Sequence, residues 1–272
     1  MSLRLETEDL AALERRMGAV AAVHQVVNAV WALARAQLPL VEAAAADAVA
    51  WLTEVEQVVA RLAGPPRPPP PNARTLSVLL GPERAWCGSL PRELLAQLPS
   101  EGELGLVGRR LHELAATDER LSGRVRFKLP GAVSPEDAPG VARAVAEALL
   151  AELDVAHVEV FHPVKGGRSL ARTVLLGGQR ERRHRGPATL SPWDEVMRAA
   201  VFEAVTGRLG VAVVEALYSE VYARLAAAEQ AKRAAARRLD ELKAGWRTAR
   251  QEQITNELLE LVAGRAAMLG AH

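Results

Sequence analysis

The sequence predicts an α/β protein in which long N- and C-terminal helices form an antiparallel coiled coil around an inserted open-sheet domain. Three observations lead there. Leu225 to Leu269 is rich in Ala, Leu, Arg and Glu, has no proline, and has only Gly245 and Gly264 inside it. Such residues lose little backbone or rotamer freedom in a helix. Between about Thr75 and Leu176, strand-like apolar runs alternate with helical patterns. Finally, the two ends of the chain carry complementary charge.

The C-terminal helix traces back to Trp193, just after Ser191-Pro192. From Trp193 to Leu269 it would be roughly 115 Å long at 1.5 Å per residue. A helix of that length needs a second long helix or a partner along much of its course. The N-terminal segment supplies one. Thr7 opens a Thr-Glu-Asp-Leu capping pattern. Leu10, Leu13, Met17, Val20, His24, Val27, Val30, Trp31 and Ala34 then follow mostly three- and four-residue steps. Pro39 is expected to kink or break the helix by removing a backbone donor. Helical character resumes through Trp51, Val55, Val58 and Leu62.

The inserted domain reads as strands at 75–80, 103–107, 125–129, 155–162 and 173–176. Helices are expected at 91–98, 109–116 and 135–153. The domain plan is a helix over 1–63, a stiff proline-rich linker over 64–74, the α/β domain over 75–190 and the second helix over 191–272. The loop 177–187, GGQRERRHRGP, reads as exposed and solvated rather than as a nucleic-acid site, because no aromatic stacking partners lie near it. Residues 1–63 hold 5 basic and 8 acidic side chains, net −3, whereas residues 224–250 hold 8 and 3, net +5. Opposite charge favours pairing the helices in one register, at roughly 0.2–1 kcal/mol per exposed pair.

Composition removes several functions. The 34 basic and 33 acidic residues leave a net charge of +1, which gives no bulk attraction to nucleic acid or membrane. The lone cysteine, Cys87, allows no internal disulfide and points to a reducing compartment. The charged start of the chain lacks the apolar core of a signal peptide. Met17 to Ala34 is uncharged but is interrupted by His24, Gln25 and Asn28, which makes it a poor membrane span. No phosphate-cradling GxxxxGK[ST], GxGxxG, HExxH or CxxC motif occurs, so no nucleotide, cofactor or metal site is expected. Cys87 reads as a buried soft apolar residue and His24 as a packed seam residue.

Three segments resemble the gamma subunit of F-type ATP synthases. Residues 249–264, ARQEQITNELLELVAG, are similar to its C-terminal signature, approximately ARQ-x-x-ITNELLEIV-x-G. Residues 81–90, GPERAWCGSL, resemble its SDRGLCGGL segment, and residues 16–38 resemble its first helix. The resemblance implies a left-handed coiled coil with a Rossmann-like insert. It also implies a non-catalytic central shaft that turns inside a ring of three alpha and three beta subunits, with its foot on an epsilon subunit and a membrane ring of c subunits. The complex would lie on the cytoplasmic face of a bacterial inner membrane. Arg84, Arg224, Arg250, Gln251, Asn256 and Glu257 are the implied subunit-interface residues. The family's first helix is lysine-rich, whereas His24, Gln25, Asn28, Trp31 and Gln37 stand here, which points to a divergent or alternate-type member. A free-standing coiled-coil scaffold explains the helices but not the ordered motifs, and an enzyme built on Cys87 lacks a paired histidine.

Overall fold

The computed structural model describes residues 2–66, 74–151, 157–164, 166–167, 169–177, 180–182 and 191–269. The first helix, α1, is Ser2–Leu62, and the chain ends in α6, Trp193–Leu269. Between them lie β1 (Ala63–Pro66), β2 (Thr75–Leu80), α2 (Leu90–Leu95), β3 (Glu103–Val107), α3 (Arg109–Ala116), α4 (Glu119–Ser122), β4 (Val125–Leu129), a 3₁₀ turn at Pro135–Asp137, α5 (Ala138–Ala151), β5 (His157–Pro163), β6 (Leu170–Gly177) and β7 (Arg180–Arg182). The expected mixed α/β class with two long terminal helices is borne out.

Two compact units divide the chain, one of Met1–Ala32 with Ala228–His272 and one of Leu33–Ala227. The first is a helix pair. Buried or partly buried residues recur on α1 at Leu10, Leu13, Met17, Val20, His24, Val27 and Trp31, and on α6 at Ala228, Ala235, Leu239, Leu242, Trp246, Ala249 and Gln253. Alternating steps of three and four approximate a 3.5-residue period, which keeps one seam facing the partner helix only if the pair coils left-handed. The Trp246 indole donates to Glu14 Oε1 at 3.1 Å, and Lys232 Nζ sits 4.3 Å from the centre of the Trp31 ring. The partner number falls from 246 to 232 as the α1 number rises, so the helices run antiparallel.

The second unit holds a five-stranded sheet of order β4-β3-β2-β5-β6, parallel except for the β5–β6 pair. Strands β2, β3 and β5 are buried almost continuously, as strands covered on both faces must be. Strand β4 alternates, as an edge strand does. On one face Leu76, Val78, Leu80, Val158 and Val160 meet α5 and the stretch of α6 from Val205 to Val221, joined by Ala34 and Val41 of α1. On the other, Leu79, Leu106 and Phe161 pack with Leu90, Leu94, Leu111 and Ala115. Arg208 bonds Glu56 Oε1 of α1 at 2.9 Å and the Val174 carbonyl of β6 at 3.1 Å, so one side chain ties three elements.

Three local expectations are corrected. The first helix begins at Ser2, ahead of Thr7, and runs through Pro39 without a break. Pro39 is exposed, while Ala34 and Val41 on either side are core residues. Their packing offsets the roughly 3 kcal/mol that an interior proline costs. The loop expected at 177–187 contains β7, which pairs antiparallel with β1, so Ala63–Pro66 is strand rather than free linker. Residues 67–73 and 183–187 lie outside the described residues.

Candidate functional site

The residues expected at subunit interfaces fall into two groups. One sits at the C-terminal part of α6. Arg250 and Gln251 are exposed, and Arg250 Nη1 donates to Gln253 Oε1 at 3.0 Å. Gln253 is buried in the helix seam, and its Nε2 donates to Glu257 Oε1 at 2.8 Å. Gln253 thus links Arg250 to Glu257 and holds the guanidinium in a set direction, which sequence reading missed. The only sequence signal was a polar residue at a seam position. Asn256 is exposed, and the Gln251 carbonyl accepts from the Thr255 hydroxyl at 2.9 Å. Just beyond, Leu258, Leu259, Leu261 and Val262 are 58–71% exposed. Four large apolar side chains in solvent within five residues form a surface that calls for a partner.

The second group lies where the loop after β2 meets α6. The Glu83 and Arg84 backbone N–H groups donate to Glu220 Oε2 and Oε1 at 2.8 and 3.1 Å. Arg224, one turn along α6, is ion-paired to the same carboxylate, and its Nη1 reaches Gln37 Oε1 at 3.3 Å. Glu220 is 2% exposed and Arg224 5%. Arg224 therefore faces inward, unlike the surface role expected of it. It neutralises a buried charge, where an unpaired one would be far more expensive. Burial pushes the Glu220 carboxyl above the usual carboxylate range, against the pull of Arg224 and the two backbone donors. Arg84 itself is half-buried.

Trp86 in this loop is 48% exposed and has φ +70°, an uncommon backbone for a residue with a Cβ. Cys87 is buried, with its Sγ 3.5 Å from the Arg84 carbonyl. Burial, reinforced by the Glu220 charge, pushes its thiol up to about 11. A thiol so placed is almost wholly protonated at neutral pH, unlike a reactive cysteine. Among the described residues no cluster of three metal-ligating side chains occurs. One stretch of α1 within Leu10–Leu62 is long and apolar enough to cross a membrane by length and composition. Its seam residues Val27, Ala34 and Val41 are nonetheless buried in protein.

Two long terminal helices paired antiparallel, with a sheet domain inserted between them, define a coiled-coil protein with an α/β insert. A family profile described as ATP synthase matches residues 9–268, so the chain belongs to that family. It is 26% identical to the ATP synthase gamma chain of Moorella thermoacetica and 26% identical to that of Fuscovulum blasticum. Each match covers 94% of this chain and 98% of the relative. The fold is similar to the central stalk and c-ring structure of the Tetrahymena thermophila mitochondrial ATP synthase, with a TM-score of 0.53 and 15% identity over 76% of this chain and 99% of that one. It is also similar to the rotor of the Euglena gracilis mitochondrial ATP synthase in rotational state 1, with a TM-score of 0.50 and 13% identity over 93% and 99%. The resemblance carried by residues 249–264, 81–90 and 16–38 is thus borne out: the relatives are gamma chains, and the structural neighbours are central-stalk and rotor components of ATP synthases.

Proposed function

We propose that this chain is the rotating shaft of an F-type ATP synthase. It would link ion flow through a membrane sector to conformational change at catalytic sites that other subunits carry. The observation that carries the reading is the exposed apolar run Leu258–Val262 following the Arg250–Gln253–Glu257 array, on a chain that matches the family over residues 9–268. An apolar helix end fits the inside of an alpha and beta ring, because it fills space without binding one subunit in a fixed orientation. Arg250 and Gln251 would then make the directional contacts. Arg can form a bidentate bond to a carboxylate, which suits an acidic loop on a beta subunit. The net-positive α6 surface favours the same partner.

Mechanically, an asymmetric shaft face stabilises one conformation of each beta subunit, and turning it shifts those populations in sequence. Arg84, Asn256 and Glu257 are assigned to subunit contacts, while Arg224 acts from within by holding Glu220. Epsilon and the c-ring are the proposed partners at the foot, with the complex on the cytoplasmic face of a bacterial inner membrane. The non-lysine side chains at His24, Gln25, Asn28, Trp31 and Gln37 favour an alternate-type complex.

The test is co-expression with the neighbouring alpha and beta genes, followed by mass determination of the purified complex. One copy of this chain with three of each partner, hydrolysing ATP, is the expected result. A free monomer or homodimer that ignores those partners would reduce the relationship to shared ancestry of fold and favour a scaffold.

A further inference from the structure

Open parallel sheets bind ligands in the crevice outside the carboxyl ends of their strands, at the point where strand order reverses. In this sheet the reversal falls between β2 and β5, because β3 and β4 extend one way from β2 and β5 lies on its other side. The loop that leaves β2 there is Gly81 to Ser89.

Helix α6 closes over that crevice, where the Ser219 hydroxyl donates to the Val164 carbonyl after β5 at 3.0 Å, and it fills the adjoining space at the carboxyl ends of β2, β3 and β4. Val213, Ala216, Leu217 and Glu220 of α6 cover Leu80, Gly81 and Val107, leaving a void of about 10 Å³. This is at the lower limit for one water molecule. Two carboxylates take the positions that a bound anion would hold. Glu220 accepts the successive N–H groups of Glu83 and Arg84, one to each oxygen, and Arg224 closes on Oε1. Glu83 Oε2 accepts Arg109 N–H at the start of α3 and Gly131 N–H after β4, both at 2.8 Å. Gly108, between β3 and α3, lets the backbone after β2 approach closely. Its φ is +117°, and a Cβ there would lie 2.4 Å from the Gly81 carbonyl oxygen.

We infer that Glu220 is a built-in ligand of the anion cradle formed by the Glu83 and Arg84 N–H groups and Arg224, and that it fastens the 81–89 loop to α6. The cradle has the features of an oxyanion site: two converging backbone donors, one guanidinium and a dry apolar wall. Its occupant arrives on a helix instead of from solution. The loop after β2 is therefore fastened to α6, and among the described residues the chain's own carboxylates take the oxyanion positions at the carboxyl ends of β2, β3 and β4.

Emptying the cradle should restore the vacancy. Glu220→Ala in the full chain removes the carboxylate and leaves its donors in place. Sodium formate is the probe, and sodium chloride at equal ionic strength the control. Formate at 100 mM should raise the thermal midpoint of the variant at least threefold more than that of the parent chain, and chloride should not. Equal responses of variant and parent to formate would overturn the inference. If Glu220→Ala does not fold, Glu220→Gln reads the same contact through hydrogen exchange. Exchange at the Glu83 and Arg84 amides should accelerate at least tenfold, while Arg109, held by the Glu83 side chain, stays within a factor of about two. Unchanged protection at Glu83 and Arg84 would equally overturn it. Neither outcome depends on whether the chain assembles with a ring.

Discussion

The sheet unit and the helix-pair unit use the same two helices in opposite ways. In the sheet unit, α6 from Val205 to Val221 is buried on most of its circumference, and even its charged residues Glu220 and Arg224 are enclosed. In the helix-pair unit, the same helix buries one narrow seam made of Ala228, Ala235, Leu242 and Gln253. The lesson is that one continuous helix can be a core element along one stretch and a presented surface along another. Composition follows the covering layers: residues 205–221 carry only Arg208, Glu215 and Glu220 as charges, whereas the stretch beyond Ala228 is rich in Arg, Lys and Glu.

The largest expected effect tests the enclosed charges. Arg224→Ala leaves Glu220 buried without its cation and should destabilise the full chain by about 3–5 kcal/mol in denaturant unfolding. A loss below about 1 kcal/mol would mean that this stretch of α6 is as solvated as the helix pair. Next come matched core deletions. Leu209→Ala, at a side chain with 0% exposure, should cost about 2–5 kcal/mol. Leu242→Ala, on the two-helix seam, should cost less than half as much, because its neighbours can close over the gap. Equal losses would remove the distinction between core and seam.

Cys87 probes the sheet unit by rate. With its thiol raised from 9.0 to about 11, thiolate at pH 8 is about 100-fold scarcer than in an ordinary cysteine, and alkylation should slow in proportion. The sign also sets an alkaline limit. Folded stability from the protonated thiol is complete below pH 9.0 and is lost as pH rises towards about 11. Alkylation at the speed of a free thiol would show that the 81–89 loop opens readily. The smallest structural effect belongs to the helix pair. Arg250→Glu, on an exposed face, should change stability by no more than about 0.5 kcal/mol while impairing coupled pumping in the assembled complex. Unchanged ATP-driven pumping would remove Arg250 from the contact surface.

Much of this was legible in the sequence. Strands β2, β3 and β4 occupy the expected residues because their apolar runs are short and bounded by turn residues. Helix α6 runs over Trp193–Leu269 as expected, because it contains no proline and its Ala, Leu, Arg and Glu residues outweigh four interior glycines. What escaped was non-local. Strand β1 lies in a proline-containing stretch and exists by pairing with β7, far along the chain. The continuity of α1 through Pro39 depends on core contacts that no local rule contains. Glu220 went unnoticed as an ordinary helix glutamate. Its position at helical spacing from Val213, Leu217 and Arg224, on an apolar stripe, was the available signal, but its hydrogen-bond partners are about 136 residues earlier in the chain.

The uncovered leucines at the end of α6 also bear on supply. On the proposed function, a copy seated in its ring would hide Leu258, Leu259, Leu261 and Val262, whereas an orphan would display them to chaperones and proteases. Synthesis would then need no matching to that of the partner subunits, since surplus chains would carry their own disposal tag. The half-life of this chain in a pulse-chase, with and without alpha and beta subunits, measures that tag directly. A lifetime indifferent to the partners would mean that the leucines go unread.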